Sequence, residues 1–163
     1  MTHRELVEKV LRDPLHWPAF GFGTGLIPFA PGTWGSLPGI LLWWLVPKDI
    51  YVQAGVALVA FVLGIWLCGE SAKRIGVHDH GGIVWDEILG MFLTLMVIPS
   101  LIPMEPVWIL AAFLAFRLFD IWKPWPIRDL DHRLHGGLGI MLDDVLAALY
   151  AALLLSFLHK LLF

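Results

Sequence analysis

Two pairs of adjacent carboxylates stand where polar sequence gives way to apolar sequence. The pairs are Asp86-Glu87, within DHGGIVWDEILGMF, and Asp143-Asp144, within DHRLHGGLGIMLDDVLAAL. A single acidic residue at such a place would cap a helix or mark its solvated end. Two pairs at neighbouring helix starts would repel each other unless a positive charge lay between them. Oxygen ligands of this kind suit a hard divalent cation, so the four carboxylates predict a site for Mg²⁺, with Mn²⁺ as the alternative.

A His-Gly-Gly motif precedes each acidic pair. The motifs are His80-Gly81-Gly82 and His135-Gly136-Gly137. Glycines just before a helix let backbone N–H groups approach an anion, which the helix dipole also favours. They serve equally well to form a tight turn. The two histidines are candidate metal ligands, proton carriers or phosphate donors, and the alternative for each is a hydrogen-bonded structural role.

A third polar segment, GFGTGLIPFAPGTWGSL at residues 21–37, is rich in Gly, Thr and Ser. It lacks the lysine of a phosphate-binding P-loop and no strand precedes it, which argues against a nucleotide site. Backbone N–H groups and the hydroxyls of Thr33 and Ser36 could still surround an anion. The alternative is a re-entrant loop that Pro28 and Pro31 hold in place.

Basic residues accumulate between residues 117 and 138. Arg117, Asp120 and Lys123 are spaced by three and therefore line one helix face. Lys123 and Arg128 have the charges to bind a phosphate headgroup, Lys as a point charge and Arg as a two-pronged donor. The alternative for Lys123, which lies between two tryptophans, is ordinary snorkelling at a membrane interface.

The composition is that of a membrane protein. The chain has 163 residues, of which 58% are hydrophobic and 15% charged, against roughly 25% charged residues in soluble domains. A formal net charge of −3 and the absence of a basic run argue against nucleic-acid binding. One cysteine excludes an internal disulfide. The length suits a single domain, residues 1–163.

Five apolar stretches predict an all-α, polytopic membrane helical bundle with about four to five membrane helices. A spanning helix needs about 20 apolar residues, and the first and fourth stretches are short. The stretches are 34–47, 50–69, 83–103, 106–122 and 139–162. Residues 1–18 are predicted to form a separate amphipathic helix, either at the membrane surface or in water.

The distribution of basic residues predicts which side of the membrane carries the polar segments. With five crossings, nine of the eleven Lys and Arg residues share one side, and only Lys48 and Lys160 fall on the other. The positive-inside rule makes the first side cytoplasmic. All three polar segments then lie together at the cytoplasmic ends of the helices.

Taken together, the three segments resemble the phosphatidylglycerophosphatase A family. The resemblance covers about residues 20–150 and is most specific in HGGIVWDE and in WKPWPIR followed by HGGLGIMLDD. It implies a Mg²⁺-dependent, multi-pass enzyme of the bacterial cytoplasmic membrane that converts phosphatidylglycerophosphate to phosphatidylglycerol. Two small departures are Gly-Thr-Gly at 23–25 and Ala147-Ala148, where the family suggests Gly-Ser-Gly and Ala-Gly.

The resemblance and the residue types together assign expected roles to twelve side chains. Metal ligands would come from the two acidic pairs, and Thr33, Ser36, Lys123 and Arg128 would bind substrate. Asp79 or His80 would act as general base, and Asp131 or His135 as proton donor. The nucleophile stays open between water and a covalent intermediate, and the oligomeric state stays open too. Competing functions are a phosphatase for another lipid or isoprenoid phosphate and a small ion transporter.

Overall fold

The structure is a computed structural model that describes residues 2–77, 80–98 and 105–162, without the side chains of residues 131 and 132. Every regular element in these ranges is helical, which confirms the all-α prediction. The helices are α1 (His3–Arg12), α2 (His16–Ala19), a 3₁₀ segment (Gly21–Leu26), α3 (Pro31–Leu45), α4 (Ile50–Ile75), α5 (Trp85–Leu95), α6 (Pro106–Trp122), α7 (Ile127–Arg133) and α8 (Gly137–Leu162).

Local sequence explains where the long helices begin and end. The Asp49 side chain accepts hydrogen bonds from the N–H groups of Tyr51 and Val52, both at 3.0 Å, and so caps the start of α4. The helix ends at Gly76, whose φ of +84° favours glycine. Proline occupies the first position of α3 and of α6, where no intrahelical donor is lost.

Helices α5 and α8 form the centre of the bundle. Helix α5 packs against α3, α4, α6 and α8, while α8 also packs against α4, α6 and α7. The buried face of α5 includes Leu89, Met91, Phe92 and Leu95, each 1% exposed or less. Because α5 and α8 each carry one of the acidic pairs, the core of the bundle brings the two pairs towards each other.

The outer surface of the bundle is unusually apolar. Large apolar side chains, each more than half exposed, recur at every fourth residue of three helices: Leu58, Val62 and Trp66 on α4; Leu110, Leu114 and Leu118 on α6; Leu149, Leu153 and Phe157 on α8. Apolar stripes of this extent are typical of a surface that meets lipid. Among the described helices, α4 and α8 are long and apolar enough to cross a membrane by length and composition. The expected count of four to five spanning helices goes beyond that finding.

The N-terminal helix packs onto the bundle. Leu6 and Val10 are buried, and the Lys9 ammonium lies 3.4 Å from the carbonyl oxygen of Ile75 at the end of α4. Beyond α1, the Arg74 guanidinium donates a hydrogen bond of 2.7 Å to Asp13, which lowers the pKa of that carboxyl group. These contacts fix α1 beside the C-terminal end of α4.

Candidate active site

Three carboxylates converge at the contact between α5 and α8. Asp86 and Glu87 occupy the first turn of α5, and Asp144 lies two turns into α8 because that helix begins at Gly137. One oxygen of each carboxylate lies within 4.8 Å of an oxygen of the other two. Asp86 is 9% exposed and Asp144 is 2% exposed. We call these three residues the carboxylate cluster.

Several oxygens of the carboxylate cluster are buried and unsatisfied. Asp86 Oδ1, Glu87 Oε2 and Asp144 Oδ2 have no hydrogen-bond partner in the part of the chain that the structure describes. A buried acceptor without a partner costs about 1 to 3 kcal/mol, and more when it is charged. Three like charges this close together repel one another, a bound cation would offset that repulsion, and an all-oxygen ligand set fits Mg²⁺ or Mn²⁺. The residues present therefore suit the cation that the sequence predicts.

Helix α6 adds an arginine and a fourth carboxylate beside the cluster. Arg117 Nη1 lies 2.5 Å from Asp120 Oδ2 and 3.9 Å from Glu87 Oε1, and these side chains are 13 to 15% exposed. Asp120 also lies close enough to Asp144 for their charges to repel. Their spacing in the sequence predicted that Arg117 and Asp120 share one helix face, but it did not assign them to the metal or phosphate site. The available signal was a pair of opposite charges inside an otherwise apolar helix.

The structure separates Asp143 from its neighbour Asp144. Lys123 Nζ donates a hydrogen bond of 2.5 Å to Asp143 Oδ2, and the other oxygen of Asp143 accepts the N–H of Asp144 at 3.0 Å. Asp143 was expected as a fourth metal ligand beside the other three, whereas here it forms an ion pair with Lys123. Both acidic residues were also expected near the start of their helix, but they lie about two turns inside it.

The polar segment at residues 21–37 reaches the carboxylate cluster through its backbone. A Cβ atom at Gly32, in the first turn of α3, would lie 2.4 Å from Glu87 Oε1 and 2.8 Å from Arg117 Nη1. A larger residue at position 32 would therefore displace the ends of the Glu87 and Arg117 side chains. Thr33, next in the chain, is half-buried. Ser36 is fully buried and donates its hydroxyl hydrogen to the carbonyl of Gly32 at 2.8 Å, so its hydroxyl is used inside α3.

Two of the candidate acid–base residues, His80 and His135, line clefts. His80 Nδ1 accepts the N–H of Gly82 at 3.0 Å, and the residue lines a cleft of about 210 Å³ next to Pro31. His135 is exposed and lines a cleft of about 530 Å³ between α4 and the start of α8, together with Glu70. Asp79 and the side chain of Asp131 lie outside the described residues.

Arg128 lies at the rim of a third cleft. The cleft has a volume of about 380 Å³ and is lined by Trp122, Lys123, Trp125, Arg128 and Asp129, among others. Arg128 is exposed to solvent, and Trp125 is 77% exposed beside it. Lys123, which lines this cleft, forms the ion pair with Asp143, the neighbour of Asp144 in the chain.

The second glycine of each His-Gly-Gly motif serves close packing. A Cβ atom at Gly137 would lie 1.8 Å from the carbonyl oxygen of Ile65 on α4, and one at Gly82 would lie 2.7 Å from the carbonyl oxygen of Gly25. A Cβ atom at Gly81 would have no neighbouring atom within 4 Å among the described residues, and Gly136 has a φ of +78°. Gly82 and Gly137 are therefore explained by close backbone packing, whereas the space next to Gly81 is large enough for a ligand.

Fold and site together define a class: a small helical protein with an apolar exterior and a buried carboxylate cluster that suits a divalent cation. The family model described as phosphatidylglycerophosphatase A matches residues 17–159. The chain therefore belongs to the phosphatidylglycerophosphatase A family, and it is a phosphatase.

Individual relatives agree with the family model. The chain is 44% identical over 160 residues to phosphatidylglycerophosphatase A of Escherichia coli, a match that covers 95% of this chain and 90% of that protein. It is 50% identical over 156 residues to phosphatidylglycerophosphatase A of Haemophilus influenzae, with 94% of both chains covered. A Bacteroides thetaiotaomicron protein, provisionally named phosphatidylinositol-3-phosphatase, is 36% identical over 83% of this chain and 87% of its own. No solved structure matches the chain significantly.

Proposed function

We propose that the chain hydrolyses the terminal phosphate monoester of phosphatidylglycerophosphate and releases phosphatidylglycerol and inorganic phosphate. The observation that carries the proposal is the carboxylate cluster with its unsatisfied oxygens, placed beside Arg117. Family membership supports the substrate, since two relatives carry the name of this activity. A lipid monoester also suits a polar site on a protein whose outer surface is apolar.

Asp86, Glu87 and Asp144 would hold the divalent cation. When bound, Mg²⁺ or Mn²⁺ would supply a positive charge that polarises the phosphoryl group and lowers the pKa of a water molecule. In the net reaction, a water oxygen forms a bond to phosphorus, the bond from phosphorus to the glycerol oxygen breaks, and that oxygen takes up a proton. The side chains of this protein then bind the substrate, orient it and move the protons.

The proton carriers stay those that the sequence suggests. Asp79 or His80 would accept a proton from the attacking water, and Asp131 or His135 would supply one to the glycerol oxygen. Both histidines line clefts at the ends of the helices that carry the cluster. Neither role requires a covalent intermediate.

Substrate binding would use the rim as well as the buried cluster. Lys123 fixes Asp143, and Arg128 with the exposed Trp122 and Trp125 would meet the lipid headgroup at the membrane surface. Tryptophan favours this interfacial depth because one edge of its ring is polar. The backbone of the first turn of α3, with Thr33 and Ser36 nearby, would border the same space.

The proposed location is the bacterial cytoplasmic membrane, with a multi-pass chain and the site facing the cytoplasm. Support comes from the clustering of nine of the eleven basic residues on one side of a five-crossing arrangement. Phosphatidylglycerophosphate would reach the site by diffusing in the bilayer. No nucleotide or nucleic-acid partner is needed for this reaction.

A second candidate is a phosphatase for a different lipid phosphate. The Bacteroides thetaiotaomicron relative, whose provisional name refers to a phosphoinositide, favours it. A cluster that binds a monoester through a cation does not itself select the alcohol that leaves. Selection would depend on the rim, where Arg128, Trp122 and Trp125 lie.

A panel of phosphorylated lipids tests the proposed substrate. The purified chain in detergent micelles with Mg²⁺ would be offered phosphatidylglycerophosphate, phosphatidic acid, phosphatidylinositol 3-phosphate and an isoprenoid phosphate, and released phosphate would be measured. We expect phosphatidylglycerophosphate to give the highest kcat/KM. A higher value for any other lipid would replace the proposed substrate. Asp144→Asn should be inactive on every lipid, while Glu105→Gln, an exposed acidic residue far along the chain from the cluster, should match the wild type.

A further inference from the structure

Arg117 carries buried hydrogen-bond donors that the described residues do not satisfy. Its Nε and Nη1 atoms are buried and have no hydrogen-bond partner there. Nη1 lies 2.5 Å from Asp120 Oδ2, so the two groups form an ion pair, but they make no hydrogen bond. Glu87 Oε1 lies 3.9 Å from Nη1, which is beyond hydrogen-bond range. Leaving a charged donor unsatisfied in a buried site is unfavourable.

Unsatisfied donors and unsatisfied acceptors therefore stand side by side. The acceptors are the oxygens of Asp86, Glu87 and Asp144, and the donors belong to Arg117. A cation bound to the cluster would satisfy the acceptors but leave the donors empty. An anion would satisfy the donors but be repelled by the carboxylates. A phosphoryl group bound next to a cation satisfies both sets at once.

The first turn of α3 closes the same place. A Cβ atom at Gly32 would lie within 3 Å of the side-chain ends of both Glu87 and Arg117, so any larger residue there would displace them. The N-terminal end of a helix carries a partial positive charge and favours an anion. Arg117 and the start of α3 thus provide positive charge on the side of the cluster that faces the polar segment at residues 21–37.

The other two cations of this region are placed less well for the reacting group. Lys123 donates a hydrogen bond of 2.5 Å to Asp143, whereas Arg117, although it lies 2.5 Å from Asp120, keeps two buried nitrogens without a hydrogen bond to the described residues. Arg128 is exposed at the rim, where water and salt weaken its interactions. A preorganised donor in a buried site contributes far more to stabilising the charge that develops in a transition state.

We propose that Arg117 is a catalytic residue that binds the oxygens of the reacting phosphoryl group through its guanidinium. The inference rests on the proposed phosphatase function and adds a residue to it. Arg128 then serves the outer part of the headgroup, and its loss affects KM more than kcat. Because a guanidinium offers paired donors and an ammonium does not, lysine cannot replace Arg117.

The test compares Arg117→Lys with Arg128→Lys and Arg133→Lys in the purified full chain with Mg²⁺. Arg133 is an exposed arginine outside the proposed site. We expect Arg117→Lys to lower kcat about 100- to 1,000-fold, the range for losing one such donor set. It should also weaken competitive inhibition by inorganic phosphate. Arg128→Lys should mainly raise KM, and Arg133→Lys should match the wild type.

Two further measurements separate a catalytic from a structural role. If Arg117 only neutralised the carboxylates, Arg117→Lys would change Mn²⁺ affinity, measured by electron paramagnetic resonance, and leave phosphate inhibition unchanged; that result would overturn the proposal. Should the variant fail to fold, wild-type protein with ¹⁵N-labelled arginine provides the second route. Inorganic phosphate should shift one arginine Nε–H resonance that persists in Arg128→Lys, and no shift at saturation would also overturn it.

Failure of the inference and failure of the proposed function give different results. If the wild type releases no phosphate from any lipid of the panel, the function itself is wrong. If the wild type is active and Arg117→Lys retains its kcat and phosphate inhibition, the function stands and Arg117 is not catalytic.

Discussion

Neutralising one member of the carboxylate cluster should stabilise the cation-free protein while it abolishes activity. Asp144→Asn keeps the shape of the side chain and removes its charge. Two unit charges 4.8 Å apart, the upper limit for the cluster, repel by about 3.5 kcal/mol at an effective dielectric constant of 20. The substitution relieves the repulsion of Asp144 by both Asp86 and Glu87. Arg117 already offsets part of that repulsion, so we expect a net gain of about 1 to 3 kcal/mol in the free energy of unfolding.

Adding Mg²⁺ should reverse the order of stability. A cation at 100 times its dissociation constant stabilises the wild type by about 2.7 kcal/mol, and the asparagine variant, with a weaker ligand, gains less. The assay is unfolding in detergent micelles, with EDTA and then with Mg²⁺, for the wild type, Asp144→Asn and the exposed control Glu105→Gln. If Asp144→Asn is less stable than the wild type in EDTA, or if Mg²⁺ does not stabilise the wild type, the electrostatic reasoning about the cluster is refuted.

Three other predictions concern packing, topology and pH. Gly137→Ala should lower stability and activity, because its Cβ atom would lie 1.8 Å from a carbonyl oxygen of α4. Gly81→Ala should fold normally, because its Cβ atom would have no neighbouring atom within 4 Å. Thermal unfolding of the two variants tests this difference. In a Cys68→Ser background, cysteines at positions 76 and 130 should react with an impermeant reagent from the cytoplasmic face, and cysteines at positions 49 and 104 should react from the outside. Labelling of positions 76 and 130 from opposite faces would contradict the prediction that the polar segments share one side of the membrane. Arg74 lowers the pKa of Asp13 in the folded protein, so the pair stabilises the fold at pH values above the unfolded pKa of the carboxyl group. This contribution disappears as the pH falls through the folded pKa. Asp13→Asn should therefore lose less stability than the wild type on acidification, and an unchanged dependence of stability on acidic pH would contradict the prediction.

The sequence predicted the helices well wherever a local signal marked their ends. The stretch 106–122 coincides with α6, since a proline begins it and Pro124 follows it. Helix α4 starts at Ile50 as predicted but continues to Ile75, beyond the predicted end at 69. The charged residues of its last turns ended the apolar stretch without ending the helix. Helix α3 begins at Pro31, three residues early, and passes through Pro38.

The candidate site was predictable in its residue types and only partly in its pairing. Adjacent residues on a helix point about 100° apart, so Asp143 and Asp144 face different neighbours. Which of them faces α5 depends on how the helices pack, and no local pattern reports that. Arg117 was overlooked for the same reason: its spacing from Lys123 fits interfacial snorkelling as well as a buried site. The steric role of Gly137 depends on Ile65, a residue 72 positions away.

The decisive measurement is whether catalysis depends on a divalent cation at the carboxylate cluster. Phosphate release from phosphatidylglycerophosphate would be measured for the purified wild-type chain, after treatment with EDTA and again after Mg²⁺ is added in excess of the chelator. We expect EDTA to abolish release and Mg²⁺ to restore it, because oxygens of Asp86, Glu87 and Asp144 lie within 4.8 Å of one another and each residue keeps a buried oxygen without a hydrogen-bond partner in the described part of the chain. Full activity in EDTA would contradict the account.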